Sequence, residues 1–184
     1  TGEVLAMVNQ PSFNPNDRAQ YEVARYRNRA ITDIIEPGSS IKPFVLAAAL
    51  DSGRYRADTV VDTSPGLLRV GARTIQDKRN LGAADLSAIL ARSSNVGMAK
   101  IALSLEREQL HGVLRGLGFG AVTASGFPGE SAGLLSAPAQ WRPIGVATLS
   151  YGYGLSVTPL QLAQAYATVG AFGVRRPVTF RKVE

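Results

Sequence analysis

The 184-residue sequence contains no cysteine and a single histidine, His111. Without thiols it can build no disulfide scaffold, perform no thiolate catalysis and hold no Cys/His zinc cluster. A Ser-His-Asp relay would rest on His111 alone, and that residue lies one position off the apolar stripe Leu110, Val113, Leu114, Leu117, as a solvated helix residue does. Long apolar runs are also missing. The longest, Phe44 to Leu50, falls far short of the roughly 18 residues that cross a bilayer. Thr1-Gly2-Glu3 does not open a signal-peptide pattern, so neither a span nor an export signal is expected in this chain. Charged residues are sparse at 18% against 45% hydrophobic, which excludes disorder and leaves one globular domain or a large piece of one.

Acidic residues are outnumbered by basic ones, giving a formal charge of +6 that suits an anionic partner. The basic residues are nevertheless dispersed. Their densest group, Arg25, Arg27 and Arg29 with Tyr21 and Tyr26 nearby, alternates like a solvated loop, and nucleic-acid binding is not expected.

Val4-Leu5-Ala6-Met7-Val8 is apolar on both faces, which predicts a strand in the middle of a covered sheet. Glu36-Pro37-Gly38 breaks the chain before Ser39-Ser40-Ile41-Lys42-Pro43, and Pro43, tolerated only in a first helical turn, sets a helix start at Ser39 or Ser40. That helix is apolar all round and therefore buried, ending at Asp51-Ser52-Gly53. Between Thr59 and Gln76, short β-favouring pieces around Ser64-Pro65-Gly66 and Gly71 suggest a small hairpin. A short helix with Leu86, Ile89 and Leu90 runs into Ser93-Ser94-Asn95, a second carries Val96 to Leu105, and a third begins its stripe at Leu110. Thr158-Pro159-Leu160-Gln161 combines an N-cap, a first-turn proline and a capping-box glutamine, with Gly170 as the stop.

Ser39 and Lys42 are three apart at a helix start, so an amine comes within reach of a hydroxyl on one side of the first turn. A serine attacks only if something takes its proton, and a lysine does so only if burial or a nearby cation lowers its pKa. The helix terminus also directs free N–H groups at a developing oxyanion. S-x-x-K alone arises by chance about once in a chain of this length. Ser93-Ser94-Asn95, on a turn between helices, adds a hydroxyl and a carboxamide that either face a cleft or cap the next helix.

Together these motifs, with the stretches T-G-E-V-L-A-M-V-N-Q-P-S-F, E-P-G-S-S-I-K-P-F, S-S-N-V-G-M-A-K, F-P-G-E-S-A-G and L-S-Y-G-Y-G-L-S-V-T-P-L-Q-L-A, resemble the transpeptidase domain of the class B penicillin-binding proteins, nearest to the septal cell-division members of Gram-negative bacteria. The resemblance runs from Thr1 to about Gly173 and implies an α+β fold of the penicillin-binding protein and serine β-lactamase kind, a five-stranded antiparallel sheet between helices. It implies that residues 1–184 are an incomplete domain, lacking the first sheet strand and the C-terminal strands with the Lys-Ser/Thr-Gly motif. It implies a peptidoglycan D,D-transpeptidase without metal or cofactor, acting on the D-Ala-D-Ala end of stem peptides and acylated by β-lactams. Ser39 would be the nucleophile, Lys42 its base and Ser93 a proton relay toward the leaving amine, while Asn95 would bind the substrate amide and Lys42. Tyr153, between Gly152 and Gly154, either shapes the cleft or packs in the core, as Tyr151 could. Division-complex partners and a place on the periplasmic face of the inner membrane, through an N-terminal anchor outside this chain, are further implications. A D,D-carboxypeptidase or serine β-lactamase keeps the same chemistry but ends in water. A non-catalytic β-lactam sensor or division scaffold is the alternative of another class.

Overall fold

The computed structural model describes residues 1–17, 19 and 22–183, so Tyr21 falls outside the described residues. In chain order they form α1 (Val23–Tyr26), α2 (Arg29–Thr32), a 3₁₀ turn (Gly38–Ile41), α3 (Lys42–Asp51), β1 (Val60–Asp62), β2 (Leu67–Val70), β3 (Arg73–Gln76) and β4 (Ala83–Asp85). There follow α4 (Leu86–Ala91), α5 (Asn95–Ser104), α6 (Arg107–Gly116), a second 3₁₀ turn (Pro138–Gln140), α7 (Pro143–Leu149) and α8 (Pro159–Gly170). Two compact units result, one from Glu36–Gly116 with Leu135–Ser156, the other from Thr1–Ile35, Leu117–Leu134 and Val157–Glu184.

In the first unit, α3 and α5 are apolar on all sides because they are packed on all sides: α3 against α5 and α6, α5 against α7, β1 and β3. Phe44, Val45, Ala48 and Ala49 of α3 and Val96, Met98, Ala99, Ile101 and Ala102 of α5 are wholly buried. Each of the larger ones stabilises the unit by roughly 1.5–3 kcal/mol. The helix begins later than its sequence suggests, since Gly38–Ile41 is a 3₁₀ turn and α3 proper starts at Lys42, with Pro43 in its first turn. α6 turns Leu110 and Leu114 inward as its stripe requires. His111 is a correction to the solvated reading: it is half-buried, its ring centroid 5.7 Å from that of Trp141 with the two rings tilted at 60°.

The anticipated hairpin is β2–β3, paired from Leu67↔Gln76 to Val70↔Arg73. β1 pairs antiparallel with β4 from Val60↔Asp85 to Asp62↔Ala83, a ladder that brackets the hairpin. These two-stranded sheets are the ones present among the described residues. The strand expected at Val4 to Val8 is not formed there. The segment makes one isolated bridge, Glu3 to Thr179, with Val4 N–H donating to Thr179 O at 2.9 Å. Val4 and Met7 pack on Ile31, Leu160 and Val178, but Leu5 is 92% exposed and Val8 81%. A two-sided apolar strand needs a ladder and cover on both faces, and the described residues supply cover on one side only.

The second unit is organised by α8. Thr158 Oγ1 accepts from Gln161 N–H (3.0 Å) and Gln161 Oε1 accepts from Thr158 N–H (2.8 Å), the expected capping box. The buried Gln161 amide then donates to Ala121 O (2.6 Å) and Ala132 O (2.8 Å), closing the loop between them. Within that loop Glu130 accepts from Thr123 N–H and Oγ1, both at 2.5 Å, and from Ser125 Oγ at 2.8 Å. The arginine group is ion-paired, Arg25 to Glu22 and Arg27 and Arg29 to Asp33, so its charge is largely compensated locally.

Candidate active site

Ser39 sits in the 3₁₀ turn that leads into α3, its carbonyl accepting from the N–H of Lys42. Gly38 N–H donates to Gly152 O (3.2 Å) and Ser40 N–H to Pro37 O (3.4 Å), whereas the Ser39 N–H has no acceptor among the described residues. A free amide beside a hydroxyl is what an oxyanion requires. The turn is pinned from outside by Tyr151-Gly152-Tyr153-Gly154. Gly152 has φ +95, and a Cβ there would overlap the backbone of Gly38, so this approach is open to glycine alone. Glu36 Oε1 accepts the N–H of Gly154 at 3.0 Å, a second tie between the same two segments.

Ser93-Ser94-Asn95 divides its labour. Ser94 is the N-cap of α5, its hydroxyl accepting from Gly97 N–H at 2.8 Å. The capping role thus falls to Ser94 and leaves Ser93 and Asn95 for the cleft. Ser93 holds φ +56, a left-handed conformation uncommon for a residue with a Cβ, which costs of order 1 kcal/mol or more and aims its hydroxyl and carbonyl toward α3.

Lys42 is 1% exposed and meets both. Its Nζ donates to Ser93 O (2.6 Å), Ser93 Oγ (2.9 Å) and Asn95 Oδ1 (2.8 Å), and Ser93 Oγ in turn donates to Ser39 Oγ at 3.1 Å. Ser39, Ser93 and Lys42 therefore form one chain of hydrogen bonds, with no direct bond from Lys42 Nζ to Ser39 Oγ among the described residues. Burial lowers the Lys42 pKa from 10.5 to about 8, with the Asp77 carboxylate pulling the other way. The amine is therefore neutral often enough near neutral pH to accept a proton.

Asp77 is the residue that sequence reading missed. Its carboxylate, 8% exposed, accepts from Ser94 Oγ (2.5 Å) and from the N–H groups of Asn95 (2.5 Å) and Val96 (3.0 Å), fixing the N-terminus of α5. No local motif marks it, because its partners lie 17 to 19 residues ahead. Tyr153 resolves differently from Tyr151. It is 51% exposed and meets Tyr151 edge-on at 5.8 Å, while Tyr151 packs on the cluster around Val70, Ile75 and Val96. Ser39, Ser93 and Asn95 line one cleft of about 520 Å³, and Tyr153 is not part of that lining.

The sequence matches the model of the penicillin binding protein transpeptidase domain over residues 1–184. The chain belongs to that family. It is 44% identical over its whole length to the peptidoglycan D,D-transpeptidase FtsI of Escherichia coli K12 and 43% identical over 182 residues to the probable peptidoglycan D,D-transpeptidase PenA of Neisseria meningitidis. It spans 31% of either relative. Among solved structures, the apo transpeptidase domain of Burkholderia pseudomallei penicillin-binding protein 3 superposes with a TM-score of 0.89 at 39% identity, covering the whole chain and 51% of that domain. A Burkholderia ambifaria protein described as a peptidoglycan glycosyltransferase superposes at 0.90 and 40% identity, with 54% of it covered. The fold is thus that of the penicillin-binding transpeptidase domains, of which this chain spans about half.

Proposed function

We propose that the full-length protein carrying this chain is a peptidoglycan D,D-transpeptidase of septal cell-wall synthesis, working outside the cytoplasm at the membrane. The carrying observation is the hydrogen-bonded chain from Ser39 Oγ through Ser93 Oγ to a buried Lys42 of lowered pKa. Ser39 Oγ attacks the carbonyl of the penultimate D-Ala while its proton passes to Ser93 and on to Lys42. The oxyanion is met by the free Ser39 N–H. Asn95 spends its Oδ1 on Lys42, so its amide nitrogen remains to donate to the substrate carbonyl. The C–N bond then breaks, the proton returns along the relay to the departing D-Ala amine, and an ester on Ser39 remains. An amine of a neighbouring stem peptide attacks that ester, forms the cross-link and frees Ser39. Tyr153, half-exposed next to the nucleophile turn and outside the cleft lining, touches substrate that extends past the cleft and is not a reacting group.

A hydrolytic ending needs a base aimed at water, and the loop carboxylate Glu130 is committed to Thr123 and Ser125. A silent scaffold would have no use for a buried amine wired to a serine. A thioester donor with a free-amine acceptor tests the reading on the full-length protein: amide product supports it. Hydrolysis alone would assign a carboxypeptidase, and a lasting penicillin adduct without thioester turnover would assign a sensor.

We further propose that residues 1–184 are one segment of a larger transpeptidase domain whose Lys-Ser/Thr-Gly strand lies elsewhere in the protein. The coverage of about half of the solved domains and the uncovered Leu5 and Val8 support this. Residues 1–184 expressed alone should then melt without a sharp cooperative transition and label poorly with a fluorescent penicillin.

A further inference from the structure

One wall of the cleft beside Ser39 is basic. Along with Ser39, Ser93 and Asn95 it is lined by Lys78, Arg79 and Arg92, three exposed side chains with no ion pair or side-chain hydrogen bond among the described residues. Arg25, Arg27, Arg29 and Arg54, elsewhere, each have a carboxylate partner. Among the described residues the single acid in the lining is Asp77, and its oxygens are already taken by Ser94, Asn95 and Val96. Three like charges gathered around one concavity repel one another and raise the local concentration of any anion.

The backbone that carries them is held. Asp77 N–H donates to Gly66 O at 2.9 Å, and a Cβ on Gly66 (φ +83) would come within 3.2 Å of Asn80 Cα, so the 77–80 turn lies tight against the Ser64-Pro65-Gly66 turn. Asn80 Oδ1 accepts from Gly82 N–H at 2.9 Å and closes the far side. Arg92 is the C-cap of α4, its N–H donating to Ala88 O at 2.9 Å, and it immediately precedes Ser93. The cations are therefore mounted on fixed backbone that is continuous with the catalytic relay, in a cleft of a size that holds a peptide fragment.

We propose that Lys78, Arg79 and Arg92 form a subsite for a free carboxylate of the peptide substrate, so that the enzyme discriminates acidic stem peptides from their amidated counterparts. This rests on the transpeptidase reading above. The carboxylate can belong to the donor or to the acceptor, and the recognition chemistry is the same.

The test uses the full-length protein and peptide thioester donors that differ only in one side-chain carboxylate or carboxamide. The readout is the ratio of Ser39 acylation kcat/KM for the two donors. A second arm uses one donor with acceptor amines differing in the same way and reads the ratio of transfer to hydrolysis. In one arm, the arm identifying the source, the carboxylate form is expected to be favoured by about two- to fivefold per engaged cation at low salt. Lys78→Gln, Arg79→Gln and Arg92→Gln together should bring that ratio near one, as should about 0.5 M salt, and Arg92→Lys should retain most of the preference. Ratios of one in both arms of the unmodified protein overturn the proposal, as does a preference that survives the triple variant. Failure of both thioesters to acylate Ser39 overturns it together with the transpeptidase reading.

Discussion

The pH dependence of acylation follows from the placement of Lys42. With its pKa near 8, about 9% of the amine is neutral at pH 7 and about 91% at pH 9, from simple titration. Acylation of Ser39 should therefore rise roughly tenfold between these values and level off above about pH 9. An ordinary lysine near 10.5 would give a rise of about a hundredfold over the same interval and no plateau. Stopped-flow quenching by a fluorescent penicillin, from pH 6 to 10, separates the two curves. Lys42→Met, close in shape but without the amine, should lose the pH dependence and slow acylation by at least about a hundredfold. It should also change stability with a defined sign. Between about pH 8 and 10.5 the unfolded chain binds a proton that the folded chain does not, so unmodified protein gains stability with rising pH across that window, by at most about 3–4 kcal/mol. The Met variant should lack that gain, and comparing the two cancels the tyrosines that titrate nearby. A profile without a midpoint near 8, or a Met variant acylating at the unmodified rate, would refute Lys42 as the base.

Asp77→Asn should cost about 2 kcal/mol in urea unfolding, since it removes a charge-assisted bond to Ser94 Oγ and the negative charge at the α5 N-terminus. The same variant should move the acylation midpoint below 8, because Asp77 is the group that raises the Lys42 pKa. An upward shift would contradict that coupling. Gly152→Ala should displace the Gly38-Ser39 turn, costing of order 3 kcal/mol in thermal unfolding and most of the acylation rate; near-normal acylation would mean that the turn tolerates movement. At Glu130, burial pushes the carboxyl pKa up, but hydrogen bonds from Thr123 and Ser125 outweigh it and leave the pKa lowered. Its contribution is present above the unfolded carboxylate pKa and is lost as pH falls through the folded one, so Glu130→Gln should destabilise at pH 7 by about 1–2 kcal/mol and less in acid. Equal destabilisation at both pH values would show that charge plays no part.

How much could be read ahead of the structure depended on how local each determinant was. The α8 capping box is written in four adjacent residues, Thr158 to Gln161, and forms as they dictate. Burial of α3 was likewise legible, since its apolar residues occur on every side. Ser93 was not: a serine at φ +56 carries no signature comparable to a glycine's, and only the adjoining Ser94 cap and Lys42 contacts account for its conformation. Asp77 and the β1–β4 ladder depend on partners 17 or more residues away, beyond any periodicity window. Lys42 was placed near Ser39 by spacing alone, whereas its hydrogen bonds run to residues 51 and 53 positions later. Val4 to Val8 misled for the opposite reason. Its pattern states what a strand wants as neighbours, and a pattern cannot supply them.

Acylation of Ser39 is the event on which everything else depends. The full-length protein should be incubated with benzylpenicillin, digested and mapped by tandem mass spectrometry. A single penicilloyl adduct on Ser39, abolished in Ser39→Ala and persisting for hours, is the expected result. An adduct on Ser40 or Ser93, or no adduct on a folded protein, would contradict the assignment of Ser39 as nucleophile.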